Sequence, residues 1–164
     1  MKAFGKSGLM ASAALISMSL AACQSAPATA QEADDTSDFM EKHQSITILD
    51  THLDTPALLV QPWFDITERH DYEKDYTQVD LPRMDEGGLD GGFWVLYTPQ
   101  GPLDEQSYKL TRDVALLRAM AVQKMVAANP DEFEIADTAE DAYRIAGDGK
   151  KVVFMSIENS YPLG

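Results

Sequence analysis

A single cysteine, three histidines and only 13 basic residues against 27 acidic ones set the first limits on this chain. One cysteine excludes an intrachain disulfide, so the folded part must be held by its core or by a metal. The formal net charge of −14 argues against a nucleic-acid surface, which needs clustered lysine and arginine. The apolar stretch at 9–20 is too short for a transmembrane helix. What is present suffices for one ordinary domain: 164 residues, 45 % of them hydrophobic, with aromatics spread along the chain.

The first residues read as a targeting segment. Lys2 and Lys6 form a basic start, residues 9–20 an apolar core, and Leu20, Ala21 and Ala22 lead into Cys23. This order is similar to a bacterial lipoprotein signal, with cleavage before Cys23 and lipidation of its thiol. The competing reading is an ordinary secretory signal with a chance cysteine. The expectation is a signal peptide over 1–22, then a flexible acidic tether over 23–38, too poor in apolar residues to fold. The folded domain then spans 39–164. The protein is expected to be exported and lipid-anchored to the bacterial cell envelope, facing the periplasm.

Stretch 46–56 organises the rest. It opens with alternating apolar and β-branched residues, which predicts a strand over 46–52. His52 and Asp54 follow at a spacing that puts both side chains on one face. Pro56 ends the strand. Residues 63–78 show no clean period and read as a long loop. There His70, among Glu68, Arg69 and Asp71, reads as solvated, as does His43 beside Lys42. Residues 79–88 predict a short helix capped by Asp80 and stopped by Gly87. Residues 92–97 predict a buried strand. Residues 104–129 predict a helix with Leu110, Val114, Leu117, Ala121 and Met125 as its apolar face and Met120 and Met125 as core filler. Asp137 or Thr138 caps a further helix ending at Gly147. Residues 151–157 form a third strand, with Glu158 directly after it.

Strands alternating with helices predict an α/β fold with parallel strands and right-handed crossovers. The strand ends then share a rim, where His52, Asp54 and Glu158 converge. That mixed nitrogen and oxygen set suits zinc or a similar divalent ion. The plainer readings are a buried His–Asp pair and a surface or capping glutamate.

With these motifs in place, the chain resembles the membrane dipeptidase family of zinc peptidases, peptidase family M19. The resemblance rests on Asp50, His52, Asp54 and Pro56. It rests also on the run 78–88 leading into Gly91, Gly92, Phe93 and Trp94, and on the strand ending in Glu158. It implies a (β/α)8 barrel of TIM type, metallo-dependent hydrolase-like, with two zinc ions. His52 and Asp54 would bind the first zinc, and Glu158 would bridge both as the catalytic carboxylate. A metal-bridging hydroxide would then attack the carbonyl of a dipeptide. The family's Glu-Gly-Gly is Glu158, Asn159 and Ser160 here. Its later histidine ligands, substrate-binding histidine and late aspartate have no counterpart. The chain is therefore expected to be the N-terminal part of such an enzyme, about three βα units, and inactive alone. The alternative is a non-catalytic exported lipoprotein that keeps a partial metal site. Expected partners are a dipeptide and the membrane through Cys23; no nucleic acid is expected, and a homodimer is left open.

Overall fold

The computed structural model describes residues 30–164, with side chains from residue 37. The expected signal peptide and Cys23 lie outside the described residues. The chain runs α1 (Ala30–Gln44), β1 (Leu49–Leu53), α2 (Pro56–Leu59), α3 (Tyr72–Asp75), α4 (Leu81–Gly87), β2 (Gly91–Val95), α5 (Glu105–Ala128), β3 (Phe133–Ile135), α6 (Ala139–Gly147) and β4 (Lys151–Ser156), then a 3₁₀ turn at Tyr161–Leu163.

The strands form one parallel sheet in the order β1-β2-β4-β3. Its centre is the Gly91–Gly92 pair of β2. A Cβ on Gly91 would collide with the Val152 carbonyl, and one on Gly92 with the Asp50 carbonyl. Glycine there lets β1 and β4 close on β2 from both sides.

Val152 and Val153 are adjacent on β4 and therefore point to opposite faces. Val153 joins Trp94, Leu53, Met84, Val122 and Phe133 under α4 and α5. Val152 joins Ala142 and Ile145 of α6, with Leu49 and Phe154 alongside. Trp94 is fully buried and its indole donates to the Val152 carbonyl at 3.2 Å, so its one polar atom is satisfied.

Local sequence explains the helix ends. Asp80 accepts from the Arg83 amide at 2.9 Å and Asp104 from the Ser107 amide at 2.8 Å. Thr138 and Asp141 form a reciprocal capping box. The left-handed stop after α4 falls on Gly88, at φ 66°, one residue beyond the expected Gly87.

Four local expectations change. First, α1 begins at Ala30, inside the stretch read as a tether. Ala30, Gln31, Glu32 and Ala33 are good helix formers, and Lys42 pairs with Asp38 at 2.6 Å one turn away. His43 of α1 bonds the Gly87 carbonyl through Nε2 at 3.0 Å, so it is a docking contact rather than a freely solvated side chain. Second, β1 starts at Leu49, not at 46. Third, α5 presents Ala115, Val122 and Met125 to the core, while Leu110, Leu117 and Met120 are exposed. The buried stripe thus follows Ala115, Val122 and Met125 rather than the larger residues of the expected face. Fourth, β3 is an additional edge strand of three residues, too short to show a period.

Candidate metal centre

His52 sits near the C-terminal end of β1 and Asp54 just beyond it, where Thr55 and Pro56 start α2. Glu158 follows the end of β4. The parallel order brings the two strand ends to the same rim. There His52 Nε2 lies 3.3 Å from Asp54 Oδ1 and 3.2 Å from Glu158 Oε2. One ligand atom from each residue falls within 4.8 Å of the others, the sole such group of three among the described residues. The side chains are 48 %, 67 % and 43 % exposed, so the cluster is open to an entering ion.

A single ring nitrogen cannot donate one proton well to two carboxylates. A cation among the three satisfies all of them. Donors about 2.0–2.2 Å from a tetrahedral ion lie about 3.3–3.5 Å apart, close to the separations seen. One imidazole nitrogen and two carboxylates suit zinc chemically, with the remaining position left to water.

The turn carrying Glu158 is pinned. Asn159 adopts φ 53°, the left-handed conformation that glycine takes freely and asparagine tolerates best among other residues. Its Oδ1 accepts from the Tyr161 amide at 2.9 Å, and the Tyr161 hydroxyl donates to the Pro102 carbonyl at 2.7 Å. Asparagine thus keeps the backbone shape of a glycine after Glu158 and adds a hydrogen bond.

Two neighbours escaped the sequence reading. Arg118 of α5 donates through Nη1 to the Tyr97 carbonyl, two residues beyond β2. Burial lowers its pKa, and the Asp54 carboxylate partly opposes that by favouring the charged form. The available signal was an arginine in helical step with Ala115, Val122 and Met125. Tyr76 lines the same cleft as His52 and Asp54. It holds φ 59° as the left-handed cap of α3. Non-glycine residues seldom adopt that conformation, so nothing in the pattern signalled it.

His70 is not in this cluster, nor is it solvated. Its side chain is 9 % exposed, with Nδ1 3.0 Å from Asp75 Oδ2 and Nε2 2.8 Å from the Asp65 carbonyl. Burial disfavours its charge, but the Asp65 carbonyl and the Asp75 and Asp80 carboxylates outweigh that and raise its pKa. The Thr77 amide, then His70, hold the Asp75 carboxyl down at about 2.

Residues 37–164 match the family model of the membrane dipeptidases, peptidase family M19. The chain belongs to this family. Membrane dipeptidases are metallopeptidases, which implies a metal. The dipeptidase ataJ of Aspergillus terreus is 26 % identical over 91 residues, 52 % of this chain and 22 % of that protein. Among solved structures, the dipeptidase AC, a metallopeptidase of family M19, is 28 % identical with a TM-score of 0.58. That match covers 71 % of this chain and 38 % of its own. A metallopeptidase from Rhodobacter sphaeroides, solved with a phosphinate mimic of the dipeptide L-Ala-D-Ala, is 27 % identical with a TM-score of 0.57. It covers 71 % of this chain and 39 % of its own. The probable dipeptidase PvdM from Pseudomonas aeruginosa shares the fold with a TM-score of 0.69 at 24 % identity, over 80 % and 33 %. The chain therefore spans well under half the length of each of these relatives. Its open parallel sheet is part of the TIM-barrel-like fold of membrane dipeptidases.

Proposed function

We propose that this chain is the N-terminal, ligand-bearing part of an exported zinc-dependent dipeptidase. The observation that carries the reading is the convergence of His52, Asp54 and Glu158 from two strand ends within 4.8 Å of one another. His52 and Asp54 would hold the first zinc, and Glu158 would share it with a second. Bound there, zinc would supply Lewis acidity toward a peptide carbonyl and toward water. The chain's own residues supply the rest. The β1 and β4 ends fix the three donors, the Asn159 turn sets where Glu158 sits, and Arg118 places positive charge near Asp54.

The dipeptide substrate is supported by family membership and by the dipeptide mimic held by the Rhodobacter sphaeroides relative. A second zinc needs donors beyond Glu158, and the described residues offer one cluster of three. The 164-residue chain is accordingly inactive alone in this reading. Lys2, Lys6 and the run into Cys23 support a lipid anchor and a periplasmic location. Labelled fatty acid should appear on wild-type protein and not on Cys23→Ser.

The test of function is zinc-supplemented hydrolysis of a small dipeptide panel that includes L-Ala-D-Ala. The chain extended through its downstream reading frame should turn over substrate, and the 164-residue chain should not. Glu158→Gln should lower turnover of the extended chain by several orders of magnitude, and Glu158→Asp by less. An extended chain indifferent to Glu158→Gln would defeat the role given to this carboxylate.

A further inference from the structure

β1 carries one residue more than its partner strand. Leu49 and Asp50 match Gly91 and Gly92, and the next matched pair is Leu53 with Trp94. Thr51 and His52 therefore lie together opposite Phe93, which is a β-bulge. The consequence is visible in the packing. On a regular strand, residues four apart share a face. Here Leu49 packs with Val152 on the α6 side, whereas Leu53 packs with Trp94 and Val153 under α5. The bulge has reversed the alternation between them. It sends Leu53 into the α5 core and turns its neighbours His52 and Asp54 away from that core. Glu158, two residues beyond Ser156, meets them there.

A bulge leaves a backbone group without its ladder partner. In this one the His52 amide donates to the Asp50 side chain, Oδ1 accepting at 2.8 Å. This is a local side-chain bond of the i to i+2 kind, which competes with regular strand geometry and stabilises the departure from it. Asp50 is exposed, lines the same cleft as His52 and Asp54, and lies outside the three-residue cluster.

We infer that Asp50 is a positioning residue for the metal centre: its carboxylate oxygen holds the β1 bulge and so aims the His52 ring at Asp54 and Glu158. This rests on the metal reading of the cluster. Asp50 acts as a hydrogen-bond acceptor, so its charge is dispensable and its oxygen is not. Asparagine retains that oxygen; alanine removes it.

The test is zinc titration by calorimetry of the chain, Asp50→Ala and Asp50→Asn, beside their backbone amide spectra. Asp50→Ala should weaken zinc binding about tenfold or more, the range typical when a residue that orients a metal ligand is lost. Asp50→Asn should stay within about threefold of wild type, because the acceptor is kept. The His52 amide resonance should move in Asp50→Ala and hold its position in Asp50→Asn. Equal loss in both variants would show that Asp50 acts through its charge, and no loss in either would show that it does nothing for the site; each overturns the inference. A wild-type chain that binds no zinc would instead overturn the metal reading. The positioning role is then decided by the amide: a His52 resonance unmoved in Asp50→Ala refutes it, and one moved there but not in Asp50→Asn upholds it.

Discussion

His70 lies 3.0 Å from the carboxylate of Asp75, and His52 lies 3.3 Å from that of Asp54. The two pairs are alike in distance and differ in what surrounds them. Around His70 the ring nitrogens and the charged groups are answered by protein. Both ring nitrogens have partners, and Asp80, with no exposed side-chain surface, accepts from the His70 amide and from the Arg83 side chain. Arg83 also donates to the Thr77 carbonyl. The network ties the long loop to α4. Around His52 a second carboxylate arrives from another strand and shares the same ring nitrogen, at an open rim. A histidine among acids is thus a structural staple where buried and internally satisfied, and a cation site where two carboxylates converge on one accessible nitrogen.

The sharpest way to break this contrast is to remove one member of each cluster. Arg83→Ala leaves the Asp80 carboxylate buried without its cation. It should destabilise the fold by about 3–5 kcal/mol, read from urea unfolding. His52→Ala should change stability by no more than about 0.5 kcal/mol, as expected for an exposed substitution, yet abolish zinc binding in calorimetry. Similar stability losses for the two variants would erase the distinction.

A smaller effect separates the clusters by pH. His70 has a folded pKa raised above its ordinary 6.5. Its contribution to stability is fully present below about 6.5 and fades as pH rises through the raised value. Asp75 is lowered from 3.8 to about 2, so its contribution holds above 3.8 and is lost as pH falls toward 2. The stability gap between wild type and His70→Gln should therefore be widest between about pH 4 and 6.5 and should narrow above it. Urea midpoints across that range would show this, and a gap independent of pH would remove the charged form of His70 from the network.

The smallest effect sharpens the Glu158 side. Asn159→Gly relieves the left-handed backbone but loses the bond to the Tyr161 amide. The two changes should offset to within about 1 kcal/mol. Asn159→Ala loses the bond and adds strain, and should melt lower than Asn159→Gly. The reverse order would contradict the account of this turn.

Much of the frame was legible because its signals are local. Asp104 and Asn129 bracket α5, Thr138 opens α6, and the apolar run at 151–157 is β4 apart from its last residue. His52 and Asp54 lie side by side as their spacing predicts, with Asp54 just beyond the strand. The bulge was not legible, because one surplus residue shows only against the partner strand. Asp50, which the simple period puts with His52, instead bonds the His52 backbone. His70 was misread for a related reason: its surroundings come from Asp65, Asp75 and Asp80, set around it by the turn at α3 and the cap of α4. The buried stripe of α5 falls on Ala115, Val122 and Met125 while Leu110, Leu117 and Met120 stay exposed, a choice of face that spacing alone does not reveal.

Zinc titration of the chain, followed through the ring nitrogens of its three histidines by long-range proton–nitrogen correlation, tests the central claim most directly. The account predicts that His52 Nε2 alone moves to a metal-bound position, saturating with added zinc, while the rings of His43 and His70 stay where they were. A shift at His70, or a His52 ring that ignores zinc, would contradict it.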